Sequence, residues 1–277
     1  MRNEFSILLL AKPLAWLAVV LVATLLLRRQ QVTKKVRLAF LIGGVIFFGF
    51  LFGQINVERL DTSPVYFLRN LLYLISGQQQ SALIASQQPT VLSGTVMLVV
   101  LLAITWASNK VICGWGCQLG LLQDLLYRVR LPKWRPPFWL ANAIRGVAFS
   151  GLLLGIVFAG IDWIKWIDPF QIFRMQFTLI IGIFASFLLI ASLFIYRPWC
   201  QFLCPFGFVS WVTEQFSLLR PRINWELCKR CQLCVKACPT RAMADFYSGR
   251  KLHADCFACG ACLDACPQKE ALQWRRR

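Results

Sequence analysis

Eight of the twelve cysteines fall in two runs of one spacing near the end of the chain, and few folds accommodate such a pattern. The runs read Cys228-x2-Cys231-x2-Cys234-x3-Cys238-Pro239 and Cys256-x2-Cys259-x2-Cys262-x3-Cys266-Pro267. Three thiolates on a tight loop reach three irons of one cube. The three-residue step and the proline then carry the fourth cysteine toward the neighbouring cube. This is the spacing of paired [4Fe–4S] clusters, in which the fourth cysteine of each run ligates the other run's cluster. One cluster then takes Cys228, Cys231, Cys234 and Cys266; the second takes Cys256, Cys259, Cys262 and Cys238. A lone Cys-x2-Cys also serves zinc ribbons and disulfide frameworks. Two complete copies with both prolines favour the cubes. A chain so equipped moves electrons.

Composition says where. Apolar residues make up 58% of the 277, and mean hydropathy is +0.59, well above an average soluble domain. Five stretches, near 7–27, 38–55, 91–108, 143–161 and 177–195, are long enough or nearly so to cross a hydrocarbon core of ~30 Å as helices. The first contains Lys12 and Pro13, and the fourth has Arg145 at its mouth. The first run ends in Arg28-Arg29 rather than a small-residue cleavage site, so it reads as a span and not as a removed signal peptide. The expected fold is a mainly α membrane protein of about five transmembrane helices, followed by a two-cluster, ferredoxin-like domain. Residues 1–199 form the helical region, 200–220 a connector at the membrane edge, and 221–277 the cluster domain.

The net charge of +18 sorts by loop, which argues for membrane orientation and against a nucleic-acid partner. Arg28, Arg29, Lys34, Lys35 and Arg37 lie between the first and second spans. Lys110, Arg128, Arg130, Lys133 and Arg135 lie between the third and fourth, against Asp124 alone. The intervening loops hold Glu58, Arg59, Asp61 and Arg69, and Asp162, Lys165, Asp168 and Arg174; each sums to zero. The positive-inside rule therefore places the basic loops and the cluster domain in the cytoplasm of a bacterial inner-membrane protein, with the N-terminus outside. A reducing compartment also suits thiolate clusters. Trp106, Trp115, Trp134, Trp139, Trp163, Trp166, Trp199 and Trp211 fall near the expected membrane edges as interfacial anchors.

The other four cysteines form two Cys-x3-Cys pairs, Cys113/Cys117 in KVICGWGCQLG and Cys200/Cys204 in YRPWCQFLCPFG. Each pair follows the inner end of a span and precedes an amphipathic stretch, 121–129 or 208–219. At i,i+4 on a helix both sulfurs share one face. Brought together, the pairs offer four thiolates to one metal site or two thiol pairs for redox exchange. The alternative is that they pack as small apolar residues.

His253 is the only histidine, and it lies in the hydrophilic tail, where it reads as a solvated loop residue. A helix bundle without histidine cannot ligate b-type haem, so no haem is expected. No glycine-rich nucleotide fingerprint follows an expected strand, so no flavin is indicated.

The spans, the two Cys-x3-Cys pairs and the paired cluster runs together resemble the NapH-type membrane ferredoxins. These are quinol-dehydrogenase components associated with periplasmic nitrate reductase, with relatives in methylamine utilisation and among nitrous-oxide reductase regulators. The resemblance runs from about residue 40 to the end and includes LDTSP (60–64) and WIKWIDPF (163–170). Two departures stand out. The family pattern is Cys-x3-Cys-Pro in both pairs, whereas here Pro205 follows Cys204 but Gln118 follows Cys117. The family commonly has four spans, and an extra N-terminal one is expected here.

The resemblance implies oxidation of quinol from the membrane pool, with electrons passed through the two clusters to partner iron–sulfur or reductase subunits. A ~30 Å core is too wide for one electron hop, so the quinone must bind near the inner leaflet. Trp115, Tyr196, Trp199 and Phe206 mark where to look, with Asp124 as proton acceptor; the aromatics also read as interface anchors. Two other readings stay open. One is a conduit from an acidic soluble donor attracted by Lys229, Arg230, Lys236 and Arg241. The other is an Fe–S maturation or regulatory factor for a respiratory reductase. Asp61, Asp162 and Asp168 read as solvated outer-loop acids.

Overall fold

The computed structural model describes residues 2–51, 65, 68, 69, 71–73, 88–174 and 178–276. The phrase LDTSP, with Glu58, Arg59 and Asp61, lies outside the described residues. The first helix, α1, is Arg2–Arg28. Thr33 then caps α2 (Lys34–Gly44), its hydroxyl accepting from the Val36 N–H at 3.3 Å, which satisfies one of the donors a helix start leaves open. The helix widens into a π-turn over Val45–Leu51. There follow α3 (Gln88–Ser108), α4 (Val111–Trp115), α5 (Gln118–Tyr127), α6 (Phe138–Leu154), α7 (Ile164–Ile167), α8 (Leu179–Phe194) and α9 (Pro205–Glu214). The π-turn Gly155–Ala159 extends α6.

All five expected spans are helical over most of their described residues; 52–55 and 177 lie outside the described residues. Among the described residues one stretch, Phe138–Ala159, is long and apolar enough to cross a membrane, with 22 residues and a mean hydropathy of 1.7. Leu14–Arg28, Thr95–Ser108 and Leu179–Phe194 are shorter apolar helices. These helices turn oil outward: Val147, Phe158, Leu179 and Phe187 are all more than three-fifths exposed. The charges go the other way, with Arg37, Lys110, Arg145 and Arg197 buried.

The cluster-bearing tail closes on itself. Strand β1 (Leu219–Ile223) pairs antiparallel with β2 (Leu272–Arg276), Leu219 opposite Arg276 and Ile223 opposite Leu272. Between them lie α10 (Leu233–Ala237), α11 (Ala242–Tyr247) and α12 (Ala261–Ala265). The loops before α10 and α12 are built alike. Arg230 and Gln232 flank Cys231 at φ +54 and +56, and Ala258 and Gly260 flank Cys259 at φ +49 and +78.

The tail is bolted to the helices by indole donors. Trp115 Nε1 donates to the Ala258 carbonyl at 2.8 Å, Trp211 Nε1 to the His253 carbonyl at 2.9 Å, and Trp274 Nε1 to Ser108 Oγ at 3.3 Å. Trp115 and Trp199 are fully buried, so they are packing residues rather than the interfacial anchors expected of them; Trp106, Trp134, Trp139 and Trp166 are exposed. At the centre of the contact Gly114 sits flush against the cluster loop. A Cβ there would lie 2.0 Å from the Phe257 carbonyl oxygen, which is backbone and cannot swing aside. Gly114→Ala should therefore lower stability by about 1–3 kcal/mol, the usual cost of overpacking, read as a lower unfolding midpoint in detergent.

Candidate functional site

Cys228, Cys231, Cys234 and Cys266 line one small cavity, and Cys238, Cys256, Cys259 and Cys262 line another. The fourth cysteine of each run thus stands among the first three of the other. None of the described cysteines is in a disulfide. Paired left-handed residues around Cys231 and Cys259 curl the backbone, the kind of concave nest of N–H groups that favours an anionic cluster. The Met243 N–H points at Cys238 Sγ, 3.5 Å away. Among the described residues, no three His, Cys, Asp or Glu side chains converge closely enough to hold a single metal ion. Four sulfurs around each cavity fit a cube.

The two Cys-x3-Cys pairs come together in the core with the cluster loop residue Phe257. Their local form differs from the expected single helical face. Cys113 lies in α4, but Cys117 leaves helical geometry (ψ 112) and caps α5. Likewise Cys200 lies in the π-turn Trp199–Leu203, and Cys204 (ψ 114) caps α9. The reason is local: Pro205 at the first turn of α9 holds its predecessor extended, and Cys204 Sγ takes up the Gly207 N–H at 3.3 Å. Burial pushes the Cys204 thiol up to about 12, and Cys113 and Cys200 rise as well, with neighbouring cysteines adding to the effect.

Around these thiols the core is charged. Lys110 contacts Asp255 and, at 3.5 Å, Glu214; Arg145 reaches Asp255 at 3.0 Å. Asp124 takes Arg37 at 2.7 Å and Arg197 at 3.1 Å, with Tyr196 donating at 3.0 Å. Burial alone would raise the Asp124 carboxyl, yet Arg37, Arg197 and Arg128 outweigh it and hold it at about 2. Burial drives Glu214 the other way, to about 8, against the pull of Lys110. Glu214 Oε1 accepts the Cys256 N–H at 2.8 Å, so this network also fixes the cluster loop. Arg37 and Lys110 are therefore structural ions rather than exposed loop charges, because each has a carboxylate to neutralise it inside.

A third cavity, of about 420 Å³, opens between the α1–α2 connection, α5 and the loop carrying Cys259. Arg37, Asp124, Tyr127, Arg128, Tyr196 and Cys259 are among its walls. The Tyr127 hydroxyl is buried with no hydrogen-bond partner. Of the residues the sequence pointed to, Tyr196 and Asp124 line it, whereas Trp115, Trp199 and Phe206 are buried in packing and do not. Asp124 is a weak base, because its arginines hold its carboxyl at about 2. His253, expected in solvent, is fully buried beside Glu214 with its ring against Phe246, and burial lowers its pKa. Asp162 and Asp168 are buried too, Asp162 paired with Arg69 and Asp168 accepting the Phe170 N–H at 3.1 Å.

One signal was missed. The segments 110–120 and 197–207 share more than their cysteines: a cation stands three residues before each first cysteine (Lys110, Arg197) and a glycine three after each second (Gly120, Gly207). The cations cross over. Lys110 Nζ donates to the Gly207 carbonyl at 3.0 Å, while Arg197 donates to the carbonyls of Cys113 and Gly114. Gly120 leaves room for the Arg197 crossing, since a Cβ there would strike the guanidinium, whereas a Cβ on Gly207 would strike the Cys200 carbonyl of its own turn.

A family model described as a 4Fe-4S dicluster domain matches residues 227–272, and one described as a 4Fe-4S binding domain matches twice, over 90–137 and 177–225. The chain is 30% identical over 228 residues to YccM of Escherichia coli, a protein named for electron transport, covering 76% of this chain and 61% of that protein. It is 28% identical over 191 residues to the ferredoxin-type protein NapH of Haemophilus influenzae, covering 64% of this chain and 66% of the relative. It is 25% identical over 281 residues to the regulatory protein NosR of Pseudomonas aeruginosa, covering 91% of this chain and 36% of that one. The matched stretch thus falls short of two thirds of these relatives' own length. No solved structure matches.

Removing the carboxylate of Asp124 leaves Arg37 and Arg197 buried without it. Asp124→Ala should cost about 3–5 kcal/mol, the penalty for orphaning a buried charge, measured as a shift in denaturation midpoint. Because its folded pKa is depressed, the contribution of Asp124 is present above the unfolded value and vanishes as pH falls through about 2.

Proposed function

We propose, for a chain that belongs to the NapH-type 4Fe–4S ferredoxin family, that it oxidises membrane quinol in the cavity beside Cys259 and passes the electrons to a reductase system. That it is an iron–sulfur electron-transfer protein follows from the family; the quinol step is the reading the cavity supports best. Cys228, Cys231, Cys234 and Cys266 hold one cube, and Cys238, Cys256, Cys259 and Cys262 the second. When bound, each cube supplies a one-electron carrier.

The observation that carries the reading is the cavity of about 420 Å³ with a cluster cysteine in its wall and an unpartnered phenol, Tyr127, beside it. Cavities of this size take small organic ligands. Tyr127 would bond a quinol oxygen, Arg37 and Arg128 would steady negative charge as the hydroxyls lose their protons, and Asp124 would hold Arg37 and Tyr196 in place. Oxidation of one quinol releases two electrons and two protons; the electrons leave by way of the Cys259 side and the protons go to water on the basic face.

Five spans, a cytoplasmic cluster domain and an N-terminus outside complete the proposal. The outward apolar side chains of α6 and α8 support lipid contact, and the basic α1–α2 connection supports an inner-side cavity. A second reading, reduction by an acidic soluble donor, draws on exposed Cys231 with Lys229, Arg230, Lys236 and Arg241 nearby. Stopped-flow reduction of anaerobically purified protein by a short-chain quinol tests the first reading. Cluster bleaching should follow quinol addition, and Tyr127→Phe should raise the quinol KM roughly five- to tenfold, about one hydrogen bond, with iron content unchanged. Clusters that ignore quinol yet respond to a soluble ferredoxin in a salt-sensitive way would transfer the case to the second reading.

A further inference from the structure

We propose that the two Cys-x3-Cys pairs hold a third [4Fe–4S] cluster, shared between the two halves of the internal repeat. The 4Fe-4S binding model matches each half separately, but each half carries only two of the four cysteines that a cube takes. The fold supplies the rest. Cys113, Cys117, Cys200 and Cys204 lie within mutual electrostatic reach in one packed core. They are not drawn close enough for a single ion, and the same holds for the C-terminal cysteines.

Charge points the same way. Four buried cations, Arg37, Lys110, Arg145 and Arg197, face three buried carboxylates, Asp124, Glu214 and Asp255, so this part of the core has at least one more cation than carboxylate. An unbalanced charge away from water is costly. A cube with four thiolates carries roughly two negative charges in its oxidised form, which offsets the surplus, whereas four neutral thiols do not.

The polar groups also lack an acceptor that a cluster would provide. Gln123 is wholly buried, its Oε1 3.9 Å from Cys200 Sγ, and its Nε2 has no partner. The Gly207 N–H already points at Cys204 Sγ. Arg145 and Arg197 donate to the carbonyls of Cys200 and Cys113 and so fix one cysteine of each pair. Outer-layer bonds of this kind orient metal-binding side chains. The position adjoins the second cluster loop, because Phe257 of that loop packs in the same core as Cys113, Cys200 and Cys204.

This inference rests on the reading that the eight C-terminal cysteines hold two cubes, and the test separates the two. Iron and acid-labile sulfide are counted in anaerobically purified full-length protein. The expected value is about 12 irons per chain, three cubes of four, falling to about 8 in the double variant Cys113→Ser/Cys200→Ser. Mössbauer spectra should show that variant losing one third of its iron signal. About 8 irons in the unaltered protein, with both C-terminal cubes visible by EPR, overturns the third cluster and leaves the first two standing. A count near 10, or zinc or copper at these thiols, overturns it equally. The count on the unaltered protein decides even if the variant does not fold.

Discussion

The ion network around Lys110, Arg145, Arg197 and Arg37 governs how the two parts of the molecule meet. Its carboxylates come from both sides: Asp124 from α5 and Glu214 from α9 in the helical region, Asp255 from the cluster loop. Part of the contact is apolar, with Leu27, Val32, Val111 and Trp115 of the helical region packed with Met243, Leu263, Leu272 and Trp274 of the tail, and apolar burial of this kind is not directional. Buried charge pairs, hydrogen-bonded carbonyls and indole donors add direction to it. Such contacts are directional, so they fix the docking angle of the cluster loop as well as its affinity.

The repeat of 110–120 and 197–207 gives this network its shape. Each half sends its cation across to the other half's backbone, and Gly120 clears the space for Arg197. Two short helical turns, each ending in a capping cysteine, are thereby placed face to face. The third cavity lies on the other side of Tyr196, so the same tyrosine touches Asp124 and packs on Phe257 at 5.9 Å.

Much of this was legible in the residues. The cysteine spacings anticipated which four thiols line each small cavity, since these depend on local loops of a few residues, and the apolar runs located the helices. What hid was whatever depends on partners distant in sequence. Lys110 and Arg37 look like ordinary loop cations until Asp255 and Asp124, far along the chain, are brought against them. His253 reads as solvated for the same reason, its pocket being made by Glu214 and Phe246. The wall of the large cavity combines the α1–α2 connection with α12, elements separated by most of the chain, and no periodicity announces such a meeting.

One modest contact has a temporal meaning. Gln30, just past α1, gives its amide to the carbonyls of Lys269 and Leu272 at 2.6 and 3.1 Å. Residue 30 is made before residues 269 and 272, so this latch between the first helix and the second strand closes only after both cysteine runs have been synthesised.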